Sequence, residues 1–304
     1  MSDSGVYRSG YAALIGRPNV GKSTLMNRML GEKLSIVTEK PQTTRNRILG
    51  IKTTERFQAL FLDTPGIHTV KHRLNEIMLK AALSALEDAD LILFLVEPVL
   101  EVNEEDQWIC HKLEKVKTPV ILIINKIDTI RPENLLPLIR EYGSLLTFKE
   151  VIPVSALTGE GVPDLEVLIP SFLPEGPRYY PEENLTDLSE RFMISEMIRE
   201  KIIQQTQKEI PYAAAVVVEA VRKREGADLV DVEAVIYIEK ESQKGILIGK
   251  HGKRLKEIGV MVRPEIEGLL NSRVYLKLWV KVRKGWRDHS GMLKEMGFDI
   301  SLHN

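Results

Sequence analysis

Five continuous apolar runs, separated by helix-like stretches, dominate the first half of this chain. They read YAALIG, FQALFLD, LILFLVE, VILIIN and VIPVSA. Strands of a parallel sheet are apolar throughout because helices cover both faces of the sheet. The alternation therefore predicts an α/β domain with a mostly parallel, doubly wound sheet. The run ILGIKTT, just before FQALFLD, predicts one hairpin at the edge of that sheet.

The composition changes around residues 174–187, where the chain reads PEGPRYYPEENLTD, with three prolines and no apolar period. Such a stretch is typical of a linker, and 304 residues are long for a single domain. We predict a first domain at residues 1–176, a linker at 177–186 and a second domain at 187–304. The second domain is predicted to be α+β, in the order helix, two strands, helix, loop, helix, strand and helix.

One strand of the second domain, RVYLKLWVKV, alternates between two kinds of side chain. Its apolar positions are Val274, Leu276, Leu278 and Val280. The positions between them are Arg273, Tyr275, Lys277, Trp279 and Lys281. One face of this strand is therefore predicted to be core and the other amphipathic or basic.

The net charge of −1 hides an asymmetry along the chain. Residues 244–304 carry 13 Lys and Arg against 6 Asp and Glu, a net charge of +7 that leaves −8 for residues 1–243. A basic end on an acidic body favours a polyanionic partner at that end. The alternative is an ordinary solvated charged face.

Localisation and redox state follow from the apolar runs and the cysteine count. The opening MSDSGVYRSG lacks the apolar core of a signal peptide, and LILFLV is far shorter than the roughly 20 residues of a membrane span. We therefore expect a cytoplasmic protein. The single cysteine, Cys110, lies in the helix-like QWICHKL, which favours a buried structural thiol over a reactive one.

The segment GRPNVGKS stands between the strand YAALI and the helix KSTLMNRML. It places Gly16, four residues, and then Gly21, Lys22 and Ser23 in the order of a phosphate-binding loop. Glycines let backbone N–H groups approach phosphates, the lysine contacts the β and γ oxygens, and the hydroxyl binds Mg²⁺. The motif predicts a nucleoside triphosphate site but does not separate ATP from GTP.

Three further segments lie at strand ends and complete this site. DTPG at 63–66 supplies Asp63 for the Mg²⁺ shell and the Gly66 amide for a γ-phosphate. NKID at 125–128 supplies Asp128, which can accept from both N1–H and the exocyclic amine of guanine. An amide of SAL at 155–157 can donate to guanine O6. Together they favour GTP over ATP.

These four elements, in this order, resemble the translation-factor-like branch of P-loop GTPases over about residues 10–175. The resemblance implies Mg²⁺ ligation by Ser23, Asp63 and a threonine of PQTTR, with Thr44 preferred and Thr43 as the alternative. It implies that Lys22, Asn19, Thr44 and Gly66 assist hydrolysis. The implied nucleotide-binding residues are Gly16, Arg17, Pro18, Asn19, Val20, Gly21, Lys22, Ser23, Thr24, Asp63, Thr64, Pro65, Gly66, Asn125, Lys126, Asp128, Ser155, Ala156 and Leu157.

The residue after Gly66 departs from one branch of this class. Ras-like proteins orient the attacking water with a glutamine there, whereas this chain has Ile67. Related GTPases with a hydrophobic residue here and an asparagine in the phosphate loop bind K⁺ near the phosphates. The resemblance therefore implies a K⁺ site at Asn19. The alternative is a loop asparagine that satisfies its own backbone.

The segment GILIGKHGKRLKEIG at 245–259 has two glycines around a lysine and a histidine. It lacks the preceding strand that a second nucleotide site needs, and within the predicted element order it resembles the GxxG loop of a type II KH domain. The resemblance implies single-stranded RNA binding by Ile246, Ile248, Gly249, Lys250, His251, Gly252, Lys253 and Arg254, with Leu247 completing an apolar floor under the bases. The alternative is a plain turn between two helices.

The combination of both domains resembles the Era family of bacterial ribosome-assembly GTPases over nearly the whole chain. The resemblance implies GTP and GDP binding, contact with the 3′ end of 16S ribosomal RNA and a role in assembly of the 30S subunit. It also implies a monomer with peripheral association at the inner membrane face, although we find no amphipathic anchor. Two alternatives remain: a signalling GTPase whose KH domain contacts protein or membrane, and a metabolic NTPase or kinase, which NKID disfavours.

Overall fold

A computed structural model describes residues 6–67, 72–99 and 101–298. The chain divides into two compact units, one formed by Met1–Val70 with Met78–Asp187 and the other by Lys71–Ile77 with Leu188–Asn304. No helix within the described ranges combines the length and apolarity required to cross a membrane.

The first part of the chain alternates strands with helices, as predicted. The elements in chain order are β1 (Arg8–Ile15), α1 (Lys22–Leu30), β2 (Ile48–Thr53), β3 (Phe57–Asp63), α2 (Arg73–Asp88), β4 (Leu91–Val96), α3 (Glu104–Leu113), β5 (Val120–Ile124), α4 (Leu135–Leu145), β6 (Glu150–Pro153) and α5 (Val162–Leu168).

These strands form one sheet in the order β2-β3-β1-β4-β5-β6. All neighbours are parallel except β2, which pairs antiparallel with β3 at the sheet edge, so the predicted edge hairpin is confirmed. Every residue of β4 and β5 is buried, which explains why these strands are apolar throughout.

The parallel strands place the predicted motifs at one edge of the sheet. Gly16 follows β1, Asp63 ends β3, Asn125 follows β5 and Ser155 comes two residues after β6. Because the carboxyl ends of parallel strands share an edge, segments more than 100 residues apart in sequence come together there.

The segment predicted as a linker is bound to the first unit. The backbone amides of Tyr179 and Tyr180 both donate to the buried Gln58 side chain, at 2.7 and 3.0 Å. The Gln58 amide group donates in turn to the Tyr180 carbonyl at 2.9 Å. Farther along, the Ile51 amide donates to the Leu185 carbonyl at 2.8 Å, which extends the edge of β2.

The second unit contains a three-stranded sheet in the order β7-β8-β9, with β7 antiparallel and β9 parallel to β8. Its elements are α6 (Glu190–Gln205), α7 (Ile210–Ala213), β7 (Ala215–Lys223), β8 (Leu229–Ile238), α8 (Glu241–Ile248), α9 (Lys253–Leu270), β9 (Arg273–Val282) and α10 (Ser290–Glu295). The predicted order is confirmed, except that the short α7 replaces the start of the first predicted strand. Pro211 suits the first turn of that helix.

The core of the second unit lies on one face of its sheet. Ile198 of α6 and Ile258 of α9 are fully buried against the inward side chains of the strands. In β9, Val274 and Val280 are buried, whereas Tyr275 and Trp279 are exposed. The prediction of one core face and one amphipathic or basic face is confirmed for this strand.

Candidate nucleotide and RNA sites

The phosphate loop has backbone conformations that only glycine adopts easily. Gly16 and Gly21 have φ angles of 153° and 100°. A Cβ at Gly16 would lie 2.4 Å from the Leu95 carbonyl oxygen, and one at Gly21 would lie 2.1 Å from the Asn125 side-chain nitrogen. Both glycines are therefore required for the loop to reach the strands beside it.

Lys22 begins α1 and closes this loop. Its Nζ donates to the carbonyls of Gly16 at 2.9 Å and Arg17 at 2.8 Å. Burial lowers the pKa of Lys22 to about 8, and the carboxylates of Asp63 and Asp106 oppose that shift. A bound phosphate chain would add further negative charge and favour the ammonium form.

Three oxygens cluster beside the loop in the arrangement expected of a magnesium site. The Ser23 hydroxyl donates to Asp63 Oδ2 at 2.6 Å and lies 2.9 Å from the Thr44 hydroxyl. The Thr44 hydroxyl is 3.5 Å from the same Asp63 oxygen. Asp63 Oδ1 is buried and has no hydrogen-bond partner among the described residues. Hard oxygen donors of this kind fit Mg²⁺ and its bound waters.

The two threonines of PQTTR have different surroundings. Thr44 is buried and joins the cluster with Ser23 and Asp63. Thr43 instead contacts the Thr38 hydroxyl at 2.6 Å and donates to the Lys40 carbonyl at 2.7 Å. The geometry therefore favours Thr44 over Thr43 as the metal ligand.

Asn19 follows Pro18 in the chain, and Gly66 lies close to the Pro18 backbone. Asn19 has a left-handed φ of 65°, and its side-chain nitrogen donates to the Glu39 carbonyl at 2.8 Å. It therefore bonds across to the segment before Thr44 and not to its own loop. A Cβ at Gly66 would lie 2.5 Å from the Pro18 backbone nitrogen, so this close approach requires glycine. The following Ile67 is buried.

Asn125 joins the phosphate loop to the predicted base-binding loop. Its side-chain nitrogen donates to the Val20 carbonyl at 2.7 Å, and its oxygen accepts from the Ala156 amide at 2.9 Å. Asp128 is exposed in a short 3₁₀ turn, where its carboxylate can face a base. The Ala156 amide, predicted among the donors to guanine, bonds to Asn125 in this structure.

Some of the predicted nucleotide-binding residues line a cleft over the loop, and others are buried. A cleft over the loop is lined by Pro18, Asn19, Gly21, Lys22, Ser23, Thr24, Ile36, Val37, Thr38, Gln42, Thr43, Thr44 and Gly66. Val20, Thr64, Pro65 and Ser155 are buried. The Thr64 hydroxyl donates to the Leu14 carbonyl at 2.7 Å, and Ser155 Oγ accepts from the Thr158 amide at 3.1 Å. These two side chains hold the loops in place. Leu157 is exposed.

The prediction from sequence missed two carboxylates, Glu97 and Asp106, which pair with the predicted residues Arg17 and Lys126. Arg17 lies 2.9 Å from the buried Asp106 carboxylate of α3 and 3.6 Å from Glu97. Glu97 also pairs with Lys126. These ion pairs connect the phosphate loop to the base-binding loop. Glu97 follows a buried strand, which is a usable signal, whereas nothing in the spacing of Asp106 relates it to Arg17.

Arg28 of α1 is a third missed residue. Its guanidinium donates to the Ala156 carbonyl at 3.2 Å and to the Leu157 carbonyl. Arg28 lies on the helix that begins with Lys22, so these bonds connect the SAL segment to that helix.

In the second unit, the GxxG loop connects α8 to α9. Gly249 and Gly252 have φ angles of 73° and 76°, and His251 has 53°. A Cβ at Gly249 would lie 2.9 Å from Arg254 Cβ, so the first glycine also allows close packing. Lys250, His251 and Lys253 are exposed at the start of α9, where helix N–H groups favour phosphate.

The apolar residues before the loop are not equivalent. Ile246 is 47% exposed and Ile248 is half-buried. Leu247 is fully buried in the core, so the prediction that it contacts bases is wrong. On a helix, adjacent residues point in different directions, and Leu247 points inward. Arg254 donates to the Ile246 carbonyl, so it holds the end of α8 as well as supplying charge.

Comparison with known proteins agrees with this geometry. A family described as 50S ribosome-binding GTPase matches residues 11–126, and the KH domain family matches residues 209–287. The chain is 50% identical to GTPase Era of Lactobacillus helveticus over 293 residues, which is 96% of this chain and 97% of that protein. The chain belongs to the Era family of GTPases. GTPase Era of Alkaliphilus oremlandii is 48% identical over 96% of this chain and 99% of its own length.

Solved Era structures have the same architecture. A variant of Era from Aquifex aeolicus bound to GDP·AlF4⁻ superposes with a TM-score of 0.93 at 40% identity, over 96% of this chain and 100% of that one. Era in complex with MgGDPNP and nucleotides 1506–1542 of 16S ribosomal RNA also has a TM-score of 0.93 at 40% identity, over 97% of this chain and 100% of that one. The Era fold thus extends over nearly the whole chain.

Proposed function

We propose that this GTPase binds GTP and GDP with Mg²⁺ and binds the 3′ end of 16S ribosomal RNA during assembly of the 30S subunit. The observation that best supports the proposed Mg²⁺-nucleotide site is the cluster of Ser23, Thr44 and Asp63 oxygens beside Lys22. The nucleotide function belongs to the region predicted at residues 1–176, and the RNA function to that predicted at 187–304.

The residues of the first unit have distinct roles in this proposal. Ser23 and Thr44 would hold Mg²⁺, with Asp63 behind them, and the ion would offset charge on the β- and γ-phosphates. Lys22 would contact the same oxygens, and the Gly66 amide would donate to the γ-phosphate. Loss of that phosphate would release Thr44 and Gly66, which makes their segments sensitive to the nucleotide state.

Hydrolysis in this chain must use something other than a glutamine after Gly66. Ile67 is apolar and 4% exposed, so its side chain cannot orient water by hydrogen bonding. We therefore propose a K⁺ ion near the phosphates, with the Asn19 side chain as one of its ligands. The position of Asn19 in the cleft supports this role.

Single-stranded RNA would lie along the GxxG loop. Such loops clamp about four nucleotides of backbone. Lys250, His251 and Lys253 are exposed toward solvent, and Ile246 presents an apolar surface next to them. The choice of 16S ribosomal RNA rests on the relative solved with nucleotides 1506–1542 of that RNA.

We propose that the protein acts in the cytoplasm, because the ribosomal RNA that it is proposed to bind is there, and that it acts as a monomer. Peripheral association with the inner face of the cell membrane rests on the family resemblance alone. Cell fractionation with and without ribonuclease would separate ribosome-bound from membrane-bound protein.

The central test replaces Lys250 and His251 with aspartate. Both glycines and the turn remain, while two carboxylates stand where a phosphodiester would lie. We expect normal GTP binding and hydrolysis and at least about ten-fold weaker binding of single-stranded RNA. The matched control is the His111→Asp, Lys115→Asp pair at the end of α3 and in the turn that follows it, where both residues are exposed and the charge change is the same.

The outcomes separate the alternatives. Loss of GTP binding with RNA binding retained would make the loop a nucleotide element and reject the proposal. Sequencing of RNA crosslinked in cells gives a second test. The signalling alternative predicts no RNA adduct near residues 249–254, whereas our proposal predicts adducts there with sequences from the 3′ end of 16S ribosomal RNA.

A further inference from the structure

We propose that the outer face of β9 is a second RNA-binding surface, on which unpaired bases stack on Tyr275 and Trp279. The inference rests on the proposed RNA function but concerns the opposite face of the sheet from the GxxG loop. The outward-facing basic and aromatic residues of this strand have no role in the GxxG site described above.

The exposure of these two rings calls for an explanation. Tyr275 is 49% exposed and Trp279 is 41% exposed, while Val274 and Val280 beside them are buried. Large aromatic side chains are usually mostly buried, and two on one exposed strand face are typical of a contact surface. They lie four residues apart, roughly 13 Å along the strand. Each ring therefore has space for its own base, with Lys277 between them.

Two cations lie against the Tyr275 ring. Arg224 lies over the Tyr275 ring with its Cζ 5.4 Å from the centroid, and Lys277 Nζ is 5.6 Å from the same centroid. Lys281 continues the row; it is exposed and lies 3.7 Å from the Glu219 carboxylate of β7. All the charged side chains that β9 directs to this face are basic, because its outward positions are Arg273, Tyr275, Lys277, Trp279 and Lys281.

Carboxylates of the neighbouring strands help to order this array. Arg224 lies 2.6 Å from Asp231 and Lys277 lies 3.0 Å from Glu233. These pairs hold the two cations over Tyr275, while the side chains remain 46% and 40% exposed and can still reach a phosphate. Exposed rings combined with ordered cations fit single-stranded nucleic acid better than an apolar protein partner.

The topology connects this face to the first RNA site. Leu247 of α8 and Ile258 of α9 pack on the core side of the sheet, so the GxxG loop lies on that side. In the described sheet, β9 is the edge strand next to β8. An RNA that leaves the GxxG loop can therefore reach Tyr275 and Trp279 by crossing a single edge. A short RNA that fills only the loop would not reach them.

The experiment uses the full chain and two RNAs: nucleotides 1506–1542 of 16S ribosomal RNA, and roughly six nucleotides from its 3′ end. We expect the Tyr275→Ala, Trp279→Ala variant to bind the long RNA at least about ten-fold more weakly and the short RNA unchanged. A Tyr275→Phe, Trp279→Phe variant keeps both rings and should retain most of the affinity. The matched control, Trp108→Ala with Tyr179→Ala, removes two similarly exposed rings of the first unit.

Each result has a defined meaning. If the alanine variant binds the long RNA with wild-type affinity, this inference is overturned. The exposed rings would then be better explained by a protein partner at this face. Equal weakening for both RNAs would also overturn it, because the effect would not be local to a second surface. If the Lys250→Asp, His251→Asp variant keeps its affinity for both RNAs, the proposed GxxG function fails instead. GTP hydrolysis and thermal unfolding of each variant check that the fold is intact.

Discussion

Arg17 of the phosphate loop and Asp106 of α3 form a buried ion pair in which Nε lies 2.9 Å from Oδ2. The same carboxylate oxygen accepts a hydrogen bond from the Tyr142 hydroxyl at 3.0 Å. Burial raises the pKa of Asp106, and Arg17 and Tyr142 oppose that shift by favouring the carboxylate. The loop that must bind phosphate is thus attached to two helices behind it.

Asp106→Ala should destabilise the first unit by about 3 to 5 kcal/mol, because it leaves a mostly buried guanidinium without its closest carboxylate. Tyr142→Phe, which removes one hydrogen bond, should cost about 1 kcal/mol. Urea unfolding measures both. Glu104→Ala, an exposed position on the same helix, is the control, and a loss there equal to that of Asp106→Ala would contradict the role of the pair.

Cys110 should be unreactive in the folded protein. Burial raises the pKa of its thiol to about 12, and the nearby Asp106 carboxylate adds to that shift. The thiolate is the reactive form, so alkylation by iodoacetamide should be negligible at pH 8 and should increase only as the pH approaches 12 or the protein unfolds. Denatured protein is the positive control. Rapid labelling of the native protein at pH 8 would show that the thiol is accessible.

Thr44→Ala should lower the rate of GTP hydrolysis far more than Thr43→Ala. One lost contact to a charged group is worth about 1.5 to 3 kcal/mol, which corresponds to a ten-fold or greater loss of rate. The Thr43 hydroxyl bonds to Thr38 and Lys40 in its own segment, so its loss should have a small effect. Rates measured against Mg²⁺ concentration distinguish the two. A larger defect for Thr43→Ala would reverse the assignment.

Asp128→Asn should shift the preference from guanine toward xanthine nucleotides. The carboxamide presents a donor where the guanine amine needs an acceptor, and the lost charge-assisted bonds predict a change of about ten-fold or more. Competition binding with GTP and XTP gives the ratio. Asp128 is exposed, so the substitution should not affect folding. An unchanged preference for GTP would remove Asp128 from the base site.

GTP hydrolysis should be faster in K⁺ than in Na⁺ at equal ionic strength, because the smaller Na⁺ fits a potassium site poorly. Asn19→Ala should abolish the difference. Asn19→Asp keeps an oxygen ligand but loses the donor to the Glu39 carbonyl, so it separates cation binding from loop positioning. If the wild-type rates are equal in both salts, Asn19 serves only to connect the loop to the segment at Glu39.

Most of the fold was predictable because it depends on local patterns. Continuous apolar runs predicted the parallel strands, and alternation in RVYLKLWVKV predicted the two faces of β9. Turn residues and strand ends placed the phosphate loop, DTPG, NKID and SAL at one edge. The short α7 was missed because its last residues, Tyr212 and Ala213, continue through Ala214 into a strand of similar composition.

The amino-acid sequence by itself determined the order of elements apart from α7, the phosphate-loop chemistry and the preference for guanine, since each is encoded within a few neighbouring residues. Only the tertiary structure decided that Thr44 joins Ser23 and Asp63, that Leu247 is buried, that Gln58 binds the segment around Tyr180, and that Arg17 pairs with Asp106. Each of these depends on distances between residues far apart in sequence. Those distances are set by how helices and strands pack, which no local spacing contains.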